Sequence, residues 1–276
     1  PSWGYQVTGY FAATSRFGTP QDFMELVESF HNAGIGVILD WVPGHFPRDN
    51  HGLAQFDGSP LYEYSDPRKG SHPDWGTLVF NYDRHEVRSF LLSSARFWLE
   101  EFHVDGLRVD LTQALHRDNK LHASGREVTS ANLFGQKLLR EWSRTLRMIR
   151  PNVFLIAEDH SGWDRVTWSS DTGGLGFDQR WFVDFYHNLI GDADSGGGKA
   201  RLLREAGYGD DRSFDIGQFA GALYNSQFDQ VVYHESHDEA GNSPGSLRTS
   251  RVAVNDAPLV GATRVVAEAR CRVAFG

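Results

Sequence analysis

The sequence predicts an α/β fold of the (β/α)8 barrel type, and three observations predict it. Short apolar runs alternate along the chain with segments of helical period, the order expected of a parallel sheet. The first of these runs lacks the polar alternation of a half-wet strand, as a strand buried on both faces does. Four of the runs end in acidic residues, at positions 40, 110, 158 and 238. At the C-terminal face of a barrel, residues from several strand ends meet in one site.

Each element follows from its own residues. Thr19-Pro20-Gln21-Asp22 is a helix start: threonine caps, proline sits first and an acid lies three residues after the cap. That helix is expected to reach about His31 and to stop at Gly34. Ile35–Val42 is the first buried strand. Residues 43–85 are rich in Gly, Pro, Asp, His and aromatics without a sustained period, which predicts a long functional loop insertion. Asp83-Arg84-His85-Glu86 reads as a second capping box. It opens a helix with Val87, Phe90, Leu91, Ala95, Trp98 and Phe102 at helical spacing. Strand Val104–Asp110 follows. A helix over about 129–149 has Leu133, Phe134, Leu138, Trp142, Leu146 and Ile149 as its buried face, and Pro151 stops it. Strand Val153–Asp159, a short strand at Phe182–Phe185, strand Val231–Asp238 and a helix over about 251–274 complete the reading. Five strands are fewer than the eight of a closed barrel. The chain is therefore expected to be an internal piece of a larger protein, with its barrel incomplete.

Composition narrows the function. Of 276 residues 40% are hydrophobic, enough for a core. The net charge is −9 and no basic patch stands out, which argues against a nucleic-acid partner. No stretch is long and apolar enough to predict a membrane span. The single cysteine, Cys271, allows no internal disulfide and points to a cytoplasmic setting. Aromatic residues reach 13%, which suits both core packing and a site that stacks sugar rings. Ser195-Gly196-Gly197-Gly198-Lys199 lacks the following Ser or Thr of a phosphate loop and reads as a flexible loop. His234 and His237 would face opposite sides of a strand, so no metal site is expected there, and no cofactor is expected elsewhere.

The chemistry lies at the strand ends. Arg108 and Asp110 are two apart and share one face of their strand. A carboxylate beside a fixed cation stays ionised, as a nucleophile must. Glu158 follows the apolar run Phe154-Leu155-Ile156-Ala157, where desolvation would raise its pKa and suit it to be a proton donor. Two such carboxyl groups about 5–5.5 Å apart are the requirement for retaining cleavage of a glycosidic bond. Asp238 would be a third carboxylate, able to bind hydroxyls and stabilise positive charge. His45 and His237 would donate hydrogen bonds to a sugar. Taken singly, Asp40 could be a strand-end cap and Arg108–Asp110 a structural ion pair.

These four sites together, Asp40–His45, Gly106–Asp110, Ala157–Asp159 and His237–Asp238, resemble the four short motifs of the α-amylase superfamily. The resemblance implies Asp110 as nucleophile, Glu158 as acid/base and Asp238 as transition-state stabiliser. It implies that Asp40, His45, Arg108 and His237 bind or orient the sugar. Within the superfamily the chain is most similar to the 1,4-α-glucan branching enzymes. Ser2–Tyr10 (S-W-G-Y-Q-V-T-G-Y), Asp40–Pro47 (D-W-V-P-G-H-F-P), Asp66–Gly70 and His72–Thr77 carry that likeness, and Tyr5 then stacks on the sugar at the cleavage point. By the same resemblance, residues 1–276 are part of the catalytic barrel, about its third to seventh strands. The N-terminal carbohydrate-binding and C-terminal β-domains would lie outside this chain. The expected substrate is an α-glucan, glycogen or amylose. A-E-D-H-S around Glu158 and Y-H-E-S-H-D-E-A-G-N around Asp238 depart from common branching enzymes, and A-E-D-H with G-F-D-Q-R-W also resembles the trehalohydrolases. Hydrolysis by an amylase or trehalohydrolase is thus the alternative reaction. A non-catalytic glucan-binding relic is the alternative of another class.

Overall fold

The computed structural model describes residues 3–72, 75–117, 132–182, 216–226 and 228–238, with scattered helical positions between 264 and 272. The chain forms two compact units, Pro1–Arg180 and Trp181–Gly276. Among the described residues no helix is long and apolar enough to cross a membrane.

The first unit begins with helix α1, Pro20–Asn32. Its capping box forms as the sequence predicts: Thr19 Oγ1 accepts from the Asp22 N–H at 3.2 Å, and Asp22 Oδ2 accepts from the Thr19 N–H at 2.6 Å. The chain then forms β1 (Ile38–Trp41) and β2 (His45–Phe46), a short helix α2 (Pro67–Gly70), β3 (Ser71–His72) and β4 (Thr77–Val79). Helix α3 (His85–Glu101), β5 (Gly106–Val109), α4 (Thr112–His116), α5 (Leu133–Ile149), β6 (Phe154–Glu158) and β7 (Gln179–Trp181) follow. Strands β1, β5 and β6 lie side by side in parallel, with Asp40 opposite Arg108 and Val109 opposite Ala157, and β7 neighbours β6. Strand β7 falls just before the expected Phe182–Phe185, whose last three residues lie outside the described ones. The expected loop at 195–199 also lies outside them, as does most of the 251–274 helix.

Close strand approach is built into the sequence at Gly106, where a Cβ would meet the Phe154 carbonyl oxygen at 2.3 Å. The core gathers Leu107, Val109, Leu155 and Ala157 from the strands with Leu91, Ala95 and Leu99 of α3 and Leu138, Trp142 and Leu146 of α5. The Trp41 and Trp142 rings stack 5.3 Å apart and 9° from parallel, joining β1 to α5.

Five expectations need correction. Strand β1 is not buried on both faces: it is the sheet's edge among the described residues, and Ile38 is exposed. The 43–85 segment is not structureless. It carries a three-stranded antiparallel sheet, β2-β4-β3, closed over Phe46, Phe80 and Tyr82. Asp83 does not cap α3. Its Oδ1 accepts from the Tyr64 hydroxyl, Arg84 takes the cap position, and no side chain caps the helix. Leu133 and Phe134 do not join the buried face of α5. The face starts at Gly135, where α4 packs so closely that a Cβ would overlap the Leu115 carbonyl. In the second unit, the strand expected over Val231–Asp238 is only Gln230–Val231, after helix α6 (Ile216–Ser226). His237 and Asp238 have helical backbone, because Ser236 Oγ accepts from the Asp238 N–H at 3.2 Å and turns the chain.

Replacing Trp142 by Ala removes a fully buried ring from the centre of the first unit. A loss of about 3–5 kcal/mol is expected in urea unfolding. A loss under about 1 kcal/mol would show that the tryptophan stack does not hold the sheet to α5.

Candidate active site

The parallel register builds the site. Asp40 on β1 stands beside Arg108 on β5, and one step beyond the Val109–Ala157 pair lie Asp110 and Glu158. Alternation along β5 then puts Arg108 and Asp110 on the face opposite Leu107 and Val109, as the sequence predicts. Arg108 is 5% exposed, Glu158 8% and Asp110 9%.

The guanidinium of Arg108 serves three carboxylates. Its Nη1 donates to Asp40 Oδ1 at 2.7 Å and Oδ2 at 2.9 Å, and to Asp110 Oδ1 at 3.4 Å. Its Nη2 lies 3.2 Å from Glu158 Oε2. Tyr5 completes the group: its hydroxyl donates to Asp40 Oδ2 at 2.5 Å and accepts from Arg108 Nη1 at 3.1 Å. Burial and the neighbouring Asp40 push the Tyr5 phenol far above its usual range, so it stays a hydrogen donor. His45 Nε2 faces Asp110 Oδ2 at 3.8 Å. Burial, with His72 beside it, lowers the His45 pKa to about 4, so the ring is neutral at pH 7.

The charge order of the two central carboxyls reverses the expectation from sequence. Burial, and then the Glu158 charge, push Asp110 well above the carboxylate range, more than Arg108 pulls it down. Burial also raises Glu158, but a hydrogen bond with His160, the Arg108 charge and the Leu111 N–H together hold it below its usual value. The Leu111 N–H donates to Glu158 Oε2 at 2.7 Å. The cause is geometric: Arg108 sits nearer to Glu158 than to Asp110, and Glu158 alone gains a backbone donor. The two carboxyls share a hydrogen bond, so they titrate together as a pair.

Sequence reasoning missed several contributors. Leu111 holds a left-handed backbone, φ 46 and ψ 46, which aims its N–H at Glu158. Such a conformation costs a branched residue about 1–3 kcal/mol and clusters at functional sites. Tyr10 donates to the carbonyls of Val42 and His45, at 3.1 and 3.0 Å, and Tyr82 to those of Pro43 and Gly44, at 3.1 and 3.2 Å. These hydroxyls fix the turn that presents His45. Beside His45, Trp75 stacks on His72 at 3.9 Å. Neither tyrosine carries a sequence signal for this task, because each partner is more than thirty residues away.

The structure thus brings together Tyr5, Asp40, His45, Arg108, Asp110 and Glu158. His237 and Asp238 belong to the second unit, where their side chains lie 3.6 Å apart. Among the described residues no cluster of three or more His, Cys, Asp or Glu is arranged to hold a metal ion.

Residues 1–67 match the family model of the alpha amylase catalytic domain. Solved α-amylases share the fold. One from Anoxybacillus superposes with a TM-score of 0.61 at 16% identity, over 95% of this chain and 51% of its own. One from Geobacillus thermoleovorans, complexed with acarbose, gives 0.55 at 19% identity, over 82% and 44%. The chain is thus similar to the α-amylase superfamily, and its parallel sheet and helices are those of a partial (β/α)8 barrel. Within it, the chain is similar to curated 1,4-α-glucan branching enzymes. It is 55% identical to that of Nitrosococcus oceani and 51% to that of Thermobifida fusca, each over 194 residues, 68% of this chain and 26% of the relative. The chain thus spans about a quarter of the length of the curated relatives it matches.

The neutral His45 gives a testable pH dependence. Between pH 6.5 and 4 the unfolded chain binds a proton at this histidine that the folded chain does not. Stability from this group is full above pH 6.5 and is lost as pH falls towards about 4, by a few kcal/mol. Urea unfolding of wild type and His45→Gln across this window should give curves that converge as pH falls. Parallel curves would show that His45 is not buried as a neutral ring.

Proposed function

We propose that this chain supplies part of the active site of a 1,4-α-glucan branching enzyme, which cleaves α-1,4 bonds with retention and makes α-1,6 branches in glycogen. The observation that carries the reading is the buried Asp110–Glu158 pair bridged by Arg108, in a chain about 50% identical to branching enzymes. Asp110 is the nucleophile and Glu158 the acid/base. An Asp110 oxygen attacks the anomeric carbon, the glycosidic oxygen leaves, and Glu158 gives it a proton. Glu158 then takes the proton of an acceptor 6-hydroxyl, which displaces Asp110 and regenerates both groups. For attack the proton of the pair must lie on Glu158, which their shared hydrogen bond allows. A sugar entering between the carboxyls would separate them towards the 5–5.5 Å that retaining attack needs.

The remaining assignments follow the same reading. Tyr5 offers its ring to the sugar at the cleavage point. Arg108 and Asp40 hold Asp110 and the phenol in place, and neutral His45 donates to a sugar hydroxyl. His237 binds the sugar and Asp238 stabilises the transition state. Residues 1–276 are part of the catalytic barrel, with 43–85 as its insertion. The substrate is an α-glucan, and the setting is the cytoplasm.

Incubating the full-length enzyme with amylose tests the reaction. Branching predicts falling iodine absorbance and new α-1,6 linkages without a matching rise in reducing ends. Rising reducing ends without branches would make the enzyme a hydrolase. Asp110→Asn should leave no turnover, and Glu158→Gln should lower it about 10²–10⁴-fold. Near-normal turnover by either variant would remove that residue from its role.

A further inference from the structure

A second buried polar pair lies directly behind the first. Glu158 and Asp159 are consecutive at the end of β6, so their side chains leave on opposite sides. Glu158 enters the Arg108 cluster. Asp159 is fully buried and meets His116 Nε2 at 2.6 Å, and His116 is itself 1% exposed. The other Asp159 oxygen accepts from the Ser161 N–H at 2.9 Å and the Ser161 hydroxyl at 2.5 Å. The Trp163 ring covers His116 at 5.0 Å.

The partners of these two acids come from one short segment. Leu111 precedes α4 and gives its N–H to Glu158; His116 ends α4 and gives its ring to Asp159. The end of β6 is therefore gripped at both ends of a single helical turn. Helix α4 is seated by His116 on Asp159, by Gln113 Oε1, which accepts from the His160 N–H at 3.2 Å, and by close packing against Gly135.

We infer that the His116–Asp159 pair is a positioning device for Glu158, which keeps the Leu111 N–H on Glu158 Oε2. The inference rests on the reading of Glu158 as acid/base. Four groups face Glu158: Arg108 and Asp110 from β5 and its end, the Leu111 N–H, and His160 from its own loop at 3.8 Å. The titratable group facing Asp159 is His116. Of these, the Leu111 donor and, through Gln113, the His160 backbone depend on how α4 is seated. An N–H donor stabilises the Glu158 anion, so its withdrawal raises the carboxyl pKa. A general acid must be protonated to act, and its pKa sets the basic limb of kcat/KM.

The test is Asp159→Asn in the full-length enzyme, with a chromogenic maltooligosaccharide as donor. The basic limb should move up by about half a pH unit or more, and kcat should fall about tenfold with KM changed less than about threefold. A folded variant with the wild-type limb and kcat, and only a lower Tm, would overturn the inference and leave the pair structural. Should Asp159→Asn fail to fold, His116→Gln breaks the pair from its other side; the limb should move the same way, and an unmoved limb in the folded variant overturns the inference. An inactive wild type would overturn the reading of the site instead. The clamp is then decided by NMR titration of the 13C-labelled Glu158 carboxyl, which must titrate higher in Asp159→Asn.

Discussion

One buried guanidinium organises this site. Arg108 stands between Asp40, Asp110 and Glu158, with oxygens of all three within 3.4 Å of its nitrogens. One positive charge does not balance three carboxylates. The excess is eased by position: Asp40 is exposed to water, Glu158 gains the Leu111 N–H, and Asp110 and Glu158 share a hydrogen bond. The opposite pKa directions of the two central carboxyls thus come from small differences in their surroundings.

The scaffold makes those small differences reproducible. The Trp41–Trp142 stack holds β1 to α5, and the glycine at 106 lets β5 and β6 approach closely. Tyr10 and Tyr82 reach from two other parts of the chain to the carbonyls around Gly44, so the turn before His45 is held from both sides. Behind the site, His116 and Asp159 do for α4 what the tyrosines do for the turn. The apolar core sets where the elements lie, and these buried polar contacts set where the functional atoms point.

Much of this was legible in the sequence, for physical reasons. Strand period two placed Arg108 and Asp110 on one face, and the capping box at Thr19 named its own helix. The α-amylase motifs added Tyr5, Asp40, His45 and Glu158 to the same site, and the structure gathers them. What was not legible depends on contacts between distant residues. The pKa order of Asp110 and Glu158 turns on the N–H of Leu111, a residue with no side-chain signal for its backbone angle. The small sheet inside 43–85 has strands of two or three residues, too short to show a period. The Asp83 cap failed because Tyr64, nineteen residues away, takes its carboxylate. The helical turn at His237 and Asp238 includes a hydroxyl contact from Ser236, which strand periodicity does not register.

The central claim is that Asp110 attacks the sugar while Glu158 moves the proton. Its most direct test is to trap the covalent intermediate. The full-length enzyme is incubated with a fluorinated maltooligosaccharyl fluoride that reacts quickly and is released slowly. Mass spectrometry of the digested protein should find the glycosyl group on the peptide holding Asp110, attached through that carboxylate. A label on Glu158, or turnover of the donor without any covalent adduct, would contradict the account.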